Sequence, residues 1–174
     1  MMFKDISNFN NVDDYLPIFN GCLNADLIFM FLLYHGLVKS KMLKLWYKKF
    51  TLSAVIADVF ILIIGVIITR YIYKYFFNEF SILKFTALAV CVQIIHDTLF
   101  YLLFKNTPLG YNYMLDFFKK YADEMGARAI VGDSFMMIMS CLLSSYFASL
   151  NLNSNIITMI ISVYFVPYMI YYEE

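Results

Sequence analysis

Five stretches of this chain are nearly free of charge and long enough to cross a bilayer: residues 17–38, 50–73, 82–104, 127–150 and 156–172. A helix needs roughly 20 apolar residues to span about 30 Å of hydrocarbon. In lipid every backbone N–H and C=O must be satisfied within the segment, so single runs of this kind are helices. The chain has 174 residues, 62% hydrophobic and only 15% charged, and its mean hydropathy is +0.69. A soluble domain of this length cannot hide that much apolar surface. The sequence therefore predicts an all-α, polytopic membrane bundle of about five transmembrane helices in one domain. The second span holds the most apolar run, Val59 to Ile68. The fifth is short, and Pro167 is expected to kink it or end it early. A polar segment, 1–16, precedes the first span and has no apolar stretch of the signal-peptide type, so the first run is expected to remain as a span. Pro17 suits its first helical turn.

The segment 112–126 has a different pattern. Met114, Leu115, Phe117, Phe118, Tyr121 and Met125 recur at helical spacing, with Asp116, Lys119, Lys120, Asp123 and Glu124 on the opposite side. An amphipathic helix too short to span is expected to lie in the membrane interface, ending at Gly126. Orientation follows from the basic residues. The link after the first span is a basic loop with Lys39, Lys41, Lys44, Lys48 and Lys49, and the link after the third carries Lys105, Lys119, Lys120 and Arg128. Five spans put both links on one side, facing only Lys4, Arg70, Lys74 and Lys84. The reading is an N-terminus outside or lumenal and a cytoplasmic C-terminus. Trp46 among its lysines reads as an interface anchor, and His35 as an interfacial side chain.

Ionisable groups at membrane depth cost roughly 2.5–3.5 kcal/mol each on insertion scales, yet this chain keeps Asp26, Asp58, His96, Asp97 and Asp133 inside its spans, with Gln93 one turn from Asp97. Each falls on a helix face that also carries small or polar residues: Cys22 and Ala25 beside Asp26, Ala54, Ala57 and Gly65 with Asp58, Ala89 and Gln93 with Asp97, Ser140 and Ser144 with Asp133. Such faces pack against other helices. Asp58, Asp97 and Asp133 lie at similar depth, roughly 9–12 Å from the lysine-rich end at 1.5 Å per residue. Asp58, Gln93, His96, Asp97 and Asp133 are thus expected to form one intramembrane polar layer. It reads either as a hydrogen-bond network that fixes helix register or as a proton or cation site, because so many acids cannot all be charged together. Asp26, nearer mid-bilayer, reads as an isolated acid.

Other chemistry finds little support. Formal net charge is zero, which gives no reason to expect a nucleic-acid partner. Cys22, Cys91 and Cys141 are too dispersed for a zinc site or disulfide framework and read as buried free thiols. Leu109-Gly110-Tyr111-Asn112 lacks the flanking residues of a potassium filter. The run Asp123 to Arg128 begins like the CDP-alcohol phosphotransferase motif, but the spaced aspartates of its second half are missing. No HExxH, CxxC or GxSxG occurs, and no internal repeat suggests an inverted-repeat transporter. Neither a cofactor nor a metal is expected, and the chain reads as no enzyme.

One stretch is more distinctive: His96-Asp97-Thr98-Leu99-Phe100-Tyr101, then Asp116-Phe117-Phe118-Lys119-Lys120-Tyr121, then Gly132-Asp133-Ser134 followed by methionines. It resembles a family of small multi-span membrane proteins of large double-stranded DNA viruses of algae and protists, and the AT-rich residue usage is compatible with that. The likeness covers about a quarter of the chain. No activity comes with it. It implies residence in a viral internal membrane, and a structural or assembly role there with lipid, capsid or other membrane proteins, or further copies of the chain, as partners. The rival expectation is a small proton- or cation-linked transporter or channel that uses the Asp/His layer.

Overall fold

A computed structural model describes residues 3–172. Seven helices follow a short 3-10 turn, and no strand occurs among the described residues. They are α1 (Tyr15–Tyr34), α2 (Lys41–Phe50), α3 (Leu52–Phe76), α4 (Ile82–Asn106), α5 (Tyr113–Met125), α6 (Ala127–Ala148) and α7 (Leu152–Ile170). Five of them, α1, α3, α4, α6 and α7, are long and apolar enough to cross a membrane. Their outer faces carry large apolar side chains in the open, such as Phe60, Leu99, Val131 and Ile160. That is the surface of a bundle whose solvent is hydrocarbon.

The spans differ in detail from the sequence expectation. The first helix stops at Tyr34 and not at Val38, because Gly36 turns the chain at φ +73°. The fifth begins at Leu152, where Asn151 accepts from Ser154 N at 2.8 Å and caps it. Asn155 on its first turn is buried and donates to Phe147 O at 2.9 Å, closing the preceding helix end. Pro167 lies inside α7, which continues to Ile170. The basic link is itself largely helical. Ser40 caps α2 by accepting from Leu43 N at 3.0 Å, and Lys41, Lys44, Lys48 and Lys49 stand on that helix, with Lys39 just before it. Each short helix joins the next span through one residue with positive φ, Thr51 at 48° and Gly126 at 52°. Glycine takes that conformation freely, whereas threonine adopts it at a steric cost.

Helix α1 is the most buried span. It packs along α6, where a Cβ added to Gly21 would lie 2.2 Å from Ser144 Oγ and 2.5 Å from its backbone N. Ser140, Cys141, Ser144, Ser145 and Ala148 of α6 are all buried. Small residues allow this approach, and polar ones supply bonds across it. Toward α7, Asn20 Nδ2 donates to Asn155 O at 2.9 Å, and Asn24 Nδ2 to Ser162 Oγ at 2.9 Å.

The polar segment before α1 folds onto one end of the bundle. Ile6 is fully buried, Ser145 Oγ donates to Lys4 O at 2.6 Å, and Arg70 meets Asp14 at 3.1 Å with both side chains buried. Helices α2 and α5 cover the opposite end. Cys22 and Cys141 are buried, but Cys91 is exposed on the outer face of α4. An apolar thiol meets no penalty in lipid, so its place in an apolar run does not determine which way it faces.

Candidate functional site

Helix α4 buries Phe85, Thr86, Ala89 and Gln93 and then nothing until Phe104. Along the intervening residues it stands off from the bundle, leaving a chamber of about 640 Å³ bordered by α3, α4 and α6 and roofed by α2 and α5. All five members of the predicted polar layer, Asp58, Gln93, His96, Asp97 and Asp133, line it. The arrangement is therefore an occupied wall around a space, with the acids spread over three helices.

The acids are not equivalent. Asp97 accepts from Gln93 Nε2 on its own helix, and His96 Nδ1 lies 3.2 Å from its other oxygen. Ser134 Oγ of α6 donates to Gln93 Oε1 at 3.0 Å, which ties α4 to α6. Asp133 sits beside Asp97 across the same gap, and Asp133, Asp58 and Asp97 all lie near enough to Tyr121 of α5 to act on its hydroxyl. Asp58 accepts from Trp46 Nε1 at 2.9 Å. Trp46 is therefore no interface anchor: it is 3% exposed, and its indole N–H supplies an intramembrane carboxylate. Asp26 is not isolated either. It is fully buried, accepts from Tyr47 Oη at 2.8 Å, and lies close enough to Asp58 to interact with it. Burial first, and the neighbouring Asp26 next, hold the Tyr47 hydroxyl well above its ordinary pKa, so it stays a donor. Burial also raises Tyr121, with Asp133 adding to the effect.

The roof is aromatic. Trp46 lies 5.5 Å from Phe117 and 5.0 Å from Phe118, and Phe118 lies 5.1 Å from Phe100 of α4. The adjacent phenylalanines of α5 thus pack on protein, Phe117 fully and Phe118 in part. Glu124 of α5 accepts from Lys41 N at 2.8 Å and Met42 N at 3.0 Å, so one roof helix caps the other. None of the basic-link lysines, Lys39, Lys41, Lys44, Lys48 or Lys49, lines the chamber, and neither does any other lysine or arginine. Its charged wall is acidic although its end of the bundle is basic. No three His, Cys, Asp or Glu among the described residues come together closely enough to hold a metal ion.

Trp46 and Tyr47 are the members of the site that the sequence reading missed. The signal was present: Met42, Leu43, Trp46, Tyr47 and Phe50 recur on one helical face, with Lys41, Lys44, Lys48 and Lys49 behind them.

Fold and chamber together define an all-helical, multi-pass membrane protein with a ligand-sized space inside its bundle. No protein-family model, curated protein or solved structure matches the chain.

Proposed function

We propose that the protein is a non-enzymatic membrane carrier or channel that binds a proton or small cation in the chamber, with Asp97 and Asp133 as the groups that face the cargo and His96 beside them. The observation that carries this reading is the chamber itself. A purely structural network closes its polar groups against one another, but here Asp58, Asp97 and Asp133 border about 640 Å³ of space with no lysine or arginine in the wall. Acids held at hydrocarbon depth are characteristic of ion pathways and proton relays. The lysine-rich end, with α2 and α5, faces the cytoplasm in this reading.

The test is flux in proteoliposomes. Wild type is expected to carry protons or cations, and Asp133→Asn or Asp97→Asn to abolish that flux while the variant still unfolds at the wild-type temperature. A wild type that carries none, or Asn variants that carry as much, would refute the proposal.

A second reading has its own support. Trp46 and Tyr47 donate to Asp58 and Asp26 on neighbouring helices, as a scaffold that fixes helix register requires. That suits a structural or assembly component, with the basic end toward capsid or other membrane proteins in a viral internal membrane. It predicts absence of flux, a lower melting temperature on loss of either acid, and co-purification with intact virions.

A further inference from the structure

The chamber wall says more about its occupant than that it is a cation, and the following step rests on the carrier reading above. A metal ion held by acids and histidines needs three or more of them together, and no such group occurs among the described residues. Apart from its acids, Gln93 and His96, the chamber is walled mainly by apolar and aromatic side chains, with Trp46, Phe100, Phe117, Phe118 and Tyr121 at the roofed end. A cation with diffuse charge and apolar bulk loses little hydration on entering such a space. It gains the negative faces of the rings as well as the acids. A volume of about 640 Å³ lies within the range of sites for drug-sized molecules.

The access route fits the same class. Ile64 and Ile68 of α3 and Tyr101 of α4 line the chamber and are each more than 40% exposed. The wall is thus open sideways between α3 and α4, within the apolar spans. An amphipathic cation dissolved in the bilayer reaches the chamber there without crossing the aromatic roof.

We propose that the chamber binds a lipophilic organic monocation, a substituted ammonium or its equivalent, with its charge toward Asp133 and Asp97 and its apolar body against Trp46, Phe100 and Phe118. A free amphipathic amine and a choline headgroup share that chemistry.

The experiment uses the full chain in nanodiscs and two probes of one shape and opposite charge, tetraphenylphosphonium and tetraphenylborate. Equilibrium binding is measured with labelled probe. Trp46 is the single tryptophan of the chain, so its emission reports the chamber alone. The expected result is saturable phosphonium binding that shifts Trp46 emission, with no saturable borate binding. Asp133→Asn weakens the phosphonium by about tenfold or more, and Asp133→Glu restores it. Phe118→Leu, which leaves every acid in place, weakens it by roughly threefold. Repeating the titration in phosphatidylglycerol discs diluted equally with phosphatidylcholine or with phosphatidylethanolamine separates the sources at a fixed surface charge: weaker phosphonium binding with the choline lipid alone identifies the headgroup as the occupant. Equal binding of the two probes, no saturable binding, or a phosphonium affinity indifferent to both Asp133→Asn and Phe118→Leu would overturn the proposal. If the phosphonium fails but Asp133-dependent proton flux persists, the substrate class is wrong and the carrier reading stands. If both fail, both fall.

Discussion

A carboxylate within a span needs a donor, and the identity of that donor decides what the acid does. Asp26 is fully buried, its Oδ1 accepts from Tyr47, and its Oδ2 has no partner among the described residues. Tyr47→Phe removes the donor and leaves the acid unsatisfied. That should cost about 1–3 kcal/mol, read as a lower melting temperature in detergent, and Asp26→Leu in the same chain should recover part of it. A Tyr47→Phe protein that melts with the wild type would show the contact to be idle. The sign with pH is fixed: a phenol raised in the folded state contributes fully below its ordinary pKa of about 10 and loses that contribution as pH rises through the folded value. The acids were legible in the sequence because a charge in an apolar run is costly wherever the run goes. Their donors gave a weaker signal: Trp46 and Tyr47 share an apolar helical face with Met42, Leu43 and Phe50, but the lysines behind it give the segment the look of a solvated link. Asp26 read as isolated for the same reason: the residue that completes it belongs to another element.

Among elements, the tightest joint is α1 on α6. The stripes of small residues on these helices were readable, but which small residue would meet which was not, since rotation and register between helices are set by packing. Gly21 lies where a Cβ would fall 2.2 Å from Ser144 Oγ and 2.5 Å from Ser144 N, so α6 itself would have to move. Gly65 meets only the far end of Met137, at 2.6 Å from Cε, and that side chain can turn aside. Gly21→Ala should therefore cost about 1–3 kcal/mol, and Gly65→Ala clearly less, in thermal unfolding of the two variants side by side. Equal losses would mean that α1 and α6 are not in the close contact described. The amphipathic pattern of α5 was readable, but its apolar face had two possible partners, lipid or protein. The rings of Trp46, Phe100 and Phe104 against Phe118 show where that face goes, and only the tertiary arrangement could supply them.

At the scale of the whole molecule the charges sort by end. Lys41, Lys44, Lys48 and Lys49 on α2, and Lys119 and Lys120 on α5, lie at the end that roofs the chamber. The other end has Lys4, Arg70, Lys74 and Lys84, but Asp14 neutralises Arg70 at 3.1 Å and lies 3.7 Å from Lys4. Orientation is expected to follow the count of basic residues, which favours the roofed end, because paired acids change that bias little. A labelling experiment tests orientation and span number together. Cys22 and Cys141 are buried, so a Cys91→Ser chain has no exposed thiol among the described residues. Into it go single cysteines at the exposed positions Lys48 on α2 and Asn153 at the start of α7. With an impermeant maleimide on intact cells, Asn153→Cys should label directly and Lys48→Cys only after permeabilisation. The reverse pattern would invert the protein and place the chamber roof outside. Labelling of both from one side would require an even number of crossings between them. That is incompatible with α3, α4 and α6 each traversing the bilayer, and the chamber those helices enclose could not then lie at the depth assigned to it.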